Sequence, residues 1–175
     1  DAAQLQTVWS RLEPKERLNP AVAIAAGGHL LDVGGDANLS RLWLLPIWEQ
    51  MVDEDTVKGM RQEGLLVDQK IGLVKVLERG FAMSGGVPDA VWLTRIESAQ
   101  MNRPGDYLLQ YLAGITCMHL QLWGKAQQLL RQSLPKLAKT PLERSAWLAL
   151  ARLADQRNDS AAATIAYRQA AGSAD

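Results

Sequence analysis

Apolar residues recur three and four positions apart along most of this 175-residue chain, as at Leu108, Tyr111, Leu112 and Ile115. An α-helix has 3.6 residues per turn, so this spacing brings the apolar positions onto one helix face. The alternation that is typical of strands is almost absent. Proline, glycine and Asx motifs interrupt the pattern and predict hairpin turns near 34–36, 86–88, 103–106, 121–123, 138–141 and 157–159. The pattern predicts an all-α chain of antiparallel helical hairpins.

The last hairpin has the residue order of a tetratricopeptide repeat. Trp147 precedes Ala151 in its first helix, and Ala163 precedes Tyr167 in its second. Only a small residue lets two helix backbones approach closely, so we expect Ala151 and Ala163 at the crossing, with the aromatic ring filling the adjoining gap.

Earlier parts of the chain show weaker copies of the same hairpin. The positions 37 residues before Ala151 and Ala163 hold Gly114 and Ala126, and the position 34 residues before Gly114 holds Gly80. A fourth, weaker copy is centred on Gly28. The spacing between Gly28 and Gly80 leaves room for one extra helix at about 53–66. We therefore predict a single domain, 1–175, that is a tetratricopeptide-like α-solenoid, a right-handed superhelix of hairpins. Its repeats are predicted at about 21–52, 73–104, 107–138 and 144–172.

Composition and charge narrow the classes of function. The chain is 47% hydrophobic and 22% charged, as in soluble globular proteins. Lys+Arg and Asp+Glu both number 19, so no overall field favours nucleic acid. Residues 121–175 carry eight basic and four acidic groups, which is too small an excess to predict phosphate binding. The longest apolar run, Ala21 to Gly28, is too short to span a bilayer.

One stretch of the chain resembles a set of soft metal ligands, the consecutive residues Cys117, Met118 and His119. Adjacent helical residues point about 100° apart, however, so these three cannot converge on one ion. Cys117 falls at a packing position and is expected to point inward, as a small hydrophobe. No nucleophile, base and orienting group can be assembled from two distant histidines and one cysteine. We therefore predict no catalytic residues, no metal site and no enzymatic activity.

The first helices of the predicted hairpins would line a concave groove. Counting helical positions from the small residue at each predicted crossing places apolar side chains at the centre of the groove and polar side chains near its ends. The candidate partner-binding residues are Leu77, Phe81, Tyr111, Ile115, Met118, His119 and Arg152. Trp43 and Trp48, on either side of Pro46, are expected either to pack on the extra helix or to form an exposed patch.

Two segments of the sequence resemble a known family. "NRPGDYLLQYLAG" from Asn102 and "LWGKA" at 122–126 look like the C-terminal part of the bacterial HemY family, over residues 80–172 and more loosely before them. The resemblance implies a tetratricopeptide protein associated with late haem (protoporphyrin) biosynthesis. It also implies an N-terminal membrane segment outside this sequence, attachment to the bacterial inner membrane and a repeat domain on the cytoplasmic side.

Together these observations predict a protein-interaction scaffold for enzymes of late haem biosynthesis. The alternative is a carrier that binds haem or porphyrin in the groove, with His119 or Tyr111 as contacts and the propionates near Arg152. An apolar groove with polar ends suits either a partner helix or a flat porphyrin.

Overall fold

The structure, a computed structural model, describes residues 1–53, 64–84 and 89–173, and these residues are helical without any strand. Their helices are α1 Ala2–Arg11, α2 Pro14–Arg17, α3 Pro20–Asp32, α4 Ala37–Val52, α5 Val67–Met83, α6 Ala90–Asn102, α7 Tyr107–His119, α8 Trp123–Leu137, α9 Leu142–Gln156 and α10 Ser160–Ala171. The prediction of an all-α chain is confirmed for this part of the sequence. Within it, no helix is both long and apolar enough to cross a membrane.

The helices form two compact units, Asp1–Gly86 and Val87–Asp175. In the first, α3 packs on α4, and α5 packs on both; in the second, α7 packs on α6 and α8, and α9 packs on α8 and α10. Five of the six predicted turns are confirmed, while 86–88 lies outside the described residues. The predicted extra helix at 53–66 also falls mainly on residues that are not described. That the chain forms one continuous repeat domain stays a prediction.

Short polar side chains determine where the main helices begin. The carboxylates of Asp36, Asp106 and Asp159 accept hydrogen bonds from backbone N–H groups in the first turns of α4, α7 and α10, at 2.9 to 3.1 Å. Asn19 does the same for α3. These N–H groups have no partner inside the helix, so an Asx side chain just before it satisfies them and fixes the boundary.

Three helices end in the same way. Gly34, Gln121 and Asn158 follow α3, α7 and α9, and each has a positive φ between 59° and 74°. In each turn the next residue donates a hydrogen bond to a carbonyl five positions earlier, as from Leu122 N to Cys117 O at 2.9 Å. This is the Schellman arrangement, which reverses the chain and satisfies the last helical carbonyls. Gln121 and Asn158 are 37 positions apart, so the last two hairpins share both the predicted sequence offset and the turn geometry.

The first unit is closely packed where α3 crosses α4. A Cβ on Gly27 would lie 3.1 Å from the Ser40 Oγ and 3.2 Å from the Leu44 Cγ. The Ser40 hydroxyl is buried and donates a hydrogen bond to the Gly27 carbonyl at 3.0 Å. The repeat offset predicts Gly28 at this crossing, and that register is wrong by one residue. Gly28 faces Val76 of α5 instead, so two adjacent glycines serve two different neighbouring helices.

Arg41 is a buried arginine of the first unit that sequence analysis did not single out. Its guanidinium lies 5.2 Å from the centre of the Phe81 ring and donates to the Asn38 side chain. A Cβ on Gly80 would lie 3.3 Å from Arg41 Nη1, so the glycine leaves space for the cation. The group closest to this position is therefore a guanidinium and not a helix backbone.

The second unit confirms the predicted close contact of its first hairpin. A Cβ on Gly114 would lie 2.9 Å from the Leu130 Cγ and 3.4 Å from the Ala126 carbonyl oxygen. In the last hairpin, Ala151 and Ala163 are both buried. Tyr167 does not fill the adjoining gap as expected; it is exposed, and its hydroxyl donates to Asp155 Oδ2 at 2.8 Å.

Candidate functional site

The structure distributes the seven predicted partner-binding residues between core and surface. Four of them are buried, with at most 7% of each residue exposed: Leu77, Phe81, Tyr111 and Ile115. The apolar helix face that was expected to line an open groove is thus covered in the structure, because apolar area is stabilised when neighbouring helices remove it from water. These four side chains are not accessible to a partner in this conformation. Their partner-binding role stays a prediction that would require the packing to open.

The remaining three residues reach the surface. Met118 and His119 are half-buried in the last turn of α7, and Arg152 is exposed on α9. All three belong to the second unit. The accessible part of the predicted site is therefore concentrated at the end of α7, with Arg152 on a separate helix.

Sequence analysis missed three neighbours of His119. They are here called the apolar turn: Leu120 and Leu122 lie between α7 and α8, and Trp123 begins α8. The three residues are 44%, 48% and 36% exposed. The Schellman bond from Leu122 N to Cys117 O holds this turn, and the left-handed backbone at Gln121 separates its two leucines. The signal was available in the sequence, since "LQLW" puts three large apolar residues at a predicted turn.

A small cavity of about 80 Å³ lies beside the apolar turn. Leu120 and Leu122 line it together with Leu93 of α6, while Glu97 and Lys125 supply one charge of each sign. The shared cavity shows that the two leucines are neighbours in space as well as in sequence. Its volume is far below the roughly 300–1,000 Å³ of small-molecule sites, so it is a gap under the turn and not a ligand pocket.

Burial shifts the titration of the two candidate ligands at the end of α7. It raises the pKa of the Cys117 thiol; the charge of Lys125 opposes this shift and that of Glu97 adds to it. The cysteine is buried, as predicted, and is therefore held as an unreactive thiol at neutral pH. Burial also lowers the pKa of His119, so its imidazole is neutral at pH 7.

The structure brings no metal-ligand cluster together within its described residues, where no three His, Cys, Asp or Glu side chains are grouped. His29 lies exposed on α3 of the first unit and His119 on α7 of the second.

The tryptophans left open by sequence analysis are part of the first unit's core. Trp43 and Trp48 are both buried, and the Trp9 ring of α1 stacks on that of Trp43 with centroids 4.6 Å apart. Helix α1 contains no buried residue. Helix α1 is attached through this stack, through packing on α3, and through hydrogen bonds from Arg17 to the carbonyls of Trp9 and Ser10.

Comparisons of the chain with protein-family models, with curated proteins and with solved structures found no match.

Proposed function

We propose that this chain is a protein-interaction module of the tetratricopeptide-like kind, whose partners are enzymes of late haem biosynthesis at the cytoplasmic face of the bacterial inner membrane. The resemblance to the HemY family supplies the pathway and the location. The geometry of the turn after α7 supports the choice of interaction surface. The observation that carries the proposal is the apolar turn, where three large apolar side chains are exposed within four positions.

Exposed apolar residues that are scattered singly are normal, whereas a contiguous group marks an interaction site. Full burial of a leucine or similar side chain contributes about 1.5–3 kcal/mol. Leu120, Leu122 and Trp123 are about half buried already, so covering them would contribute roughly half of that each. The hydrogen bond from Leu122 N to Cys117 O constrains the backbone of the turn before binding, which reduces the entropy lost on association.

The proposal is tested by affinity co-purification of the tagged protein from bacterial membranes, with haem-biosynthesis enzymes quantified by mass spectrometry. The wild type should enrich at least one such enzyme, and the double variant Leu120→Ser/Leu122→Ser should lose most of that enrichment. Met101→Ser is the matched control, because Met101 is 67% exposed in the same unit but lies on α6 outside the turn. No enrichment by the wild type, or equal recovery with all three proteins, would contradict the proposal.

A carrier of haem or porphyrin is the second candidate, and His119 is the observation that favours it. Its imidazole is half-buried and neutral, which is the form that ligates iron. Tyr111, the other candidate contact, is fully buried, so His119 is the contact that a bound ligand could reach.

Titration of haemin into the purified protein separates the two functions. A carrier should give a saturable shift of the Soret band at about one equivalent, lost in His119→Ala and kept in the control His29→Ala. A linear response that His119→Ala reproduces would remove the carrier and leave the interaction module.

A further inference from the structure

A second surface feature lies in the second unit, where α8, α9 and α10 enclose a pocket of about 220 Å³. Trp147 and Leu150 line it from one face of α9, and Ile165 lines it from α10. Ile165 is 59% exposed, whereas Ala163, Ala166 and Ala170 of the same helix are buried. The pocket shares no residue with the apolar turn.

The charged side chains that line this pocket are both arginines. Arg157 donates to Gln127 Oε1 at 2.7 Å, and its Nη2 lies 3.7 Å from Asp159. Asp159 is itself engaged, because its carboxylate accepts the N-cap hydrogen bond from Ala162 N. Arg131 is exposed one turn along α8 from Gln127 and has no hydrogen-bond or ion-pair partner in the described part of the chain. The residues that line the pocket include no carboxylate.

The chemistry of the pocket selects its occupant. Its volume is below the roughly 300–1,000 Å³ that bury a drug-sized ligand, and suits instead one apolar side chain. The two arginines of the lining, with no carboxylate beside them, favour an anionic partner. The arginine fork is the group best suited to bind a carboxylate in a fixed geometry. In addition, the half-buried Trp147 indole N–H has no hydrogen-bond partner among the described residues and can donate to an arriving segment.

We propose that this pocket is the docking site for an acidic amphipathic segment of a protein partner. One apolar side chain of the segment enters between Trp147 and Ile165, and a carboxylate about one helical turn away pairs with Arg131. Such recognition, with apolar anchors on one helix face and charges beside them, is a common mode of helix binding. This surface is separate from the apolar turn, so binding at one can be disproved without affecting the other.

The test is selection of a random 12-residue peptide library, displayed on phage, against the purified full chain. Enriched peptides should contain Asp or Glu three or four positions from a large apolar residue. A synthetic peptide of the enriched sequence is then titrated by fluorescence anisotropy. Its affinity should fall about tenfold in Arg131→Glu and in Ile165→Ser, and should weaken as salt is raised.

Lys136→Glu is the matched control, because it makes the same change of charge at an exposed position of the same helix outside the pocket. It should change the affinity less than twofold. Replacing the acidic residue of the peptide by Lys should restore binding to Arg131→Glu and weaken binding to the wild type. Circular dichroism confirms that each variant is folded.

Three results would overturn the proposal. The first is a library that yields no enriched peptide, and the second is an enriched sequence without an acidic residue. The third is a peptide whose affinity is the same in Arg131→Glu, Lys136→Glu and the wild type. If the pocket is instead covered by a second copy of this chain, Ile165→Ser will convert a dimer to a monomer in sedimentation, and the partner segment is then excluded as its occupant.

Discussion

Gly114 offers the most direct test of how the first hairpin of the second unit is packed. In Gly114→Ala, the new Cβ would lie 2.9 Å from the Leu130 Cγ and 3.1 Å from its Cδ2. Leu130 is fully buried, and the atom in closest conflict is its branch carbon, which cannot rotate away freely. Overpacking of this kind costs about 1–3 kcal/mol. The higher helix propensity of alanine offsets about 1 kcal/mol of this cost, so the free energy of unfolding should fall by about 1 kcal/mol in total.

The matched control is Gly124→Ala in the first turn of α8. Nothing lies within 4 Å of the position of its added Cβ, so this variant has the change in propensity without the clash. It should leave stability unchanged or raise it by up to about 1 kcal/mol. Urea unfolding followed by circular dichroism measures the difference between the two variants, which we expect to be about 1–3 kcal/mol.

A double-mutant cycle with Leu130→Ala locates the strain. Leu130→Ala alone should cost about 2–5 kcal/mol as a cavity in the core. In the Gly114→Ala background the cost should be smaller, because the substitution removes the atoms that meet the new methyl group; the coupling should exceed about 0.5 kcal/mol. If Gly114→Ala stabilises the protein as much as Gly124→Ala, or if the cycle shows no coupling, the close crossing of α7 and α8 is refuted.

Three further predictions follow from single sites. Gln121→Gly should raise the free energy of unfolding by up to about 1 kcal/mol, because the position has a φ of 60°, while Gln128→Gly within α8 should lower it by a similar amount; urea unfolding compares the two. Trp9→Ala removes the ring stacked on α4, so hydrogen exchange in α1 should accelerate several-fold, whereas Val8→Ala, at an exposed site of the same helix, should leave it unchanged. Cys117 should react with Ellman's reagent at pH 8 much more slowly in the folded protein than in guanidinium chloride, because burial both raises its thiol pKa and restricts access; equal rates would show that the cysteine is accessible.

Local sequence is sufficient to specify the helices and most of their ends. Apolar spacing of three and four residues defines a helix face, and Asp36, Asp106 and Asp159 sit where an N-cap is needed. These are local effects, since each cap bonds within three residues of itself. The inward position of Cys117 also follows from helical spacing alone, and the structure confirms it.

The neighbour that each apolar helix face contacts depends on the packing of the whole fold. Gly27 and Gly28 are equally small, and only the simultaneous packing of α4 and α5 on α3 assigns one to Ser40 and the other to Val76. Trp43 could have been exposed, but α1 supplies Trp9 to stack on it. Contacts of this kind join residues far apart in sequence, and periodicity carries no information about which helix will arrive.

The candidate sites show the same difference between what helical spacing predicts and what tertiary packing decides. Helical spacing places Tyr111 and Ile115 on one apolar helix face. Spacing does not distinguish a face that lines a groove from a face that a neighbouring helix covers, and both residues are buried. The pocket beside Arg131 joins residues of three helices, so no single stretch of sequence contains it. Burying apolar area is favourable wherever a partner surface is available, and the availability of that surface is a property of the folded chain and not of any one helix.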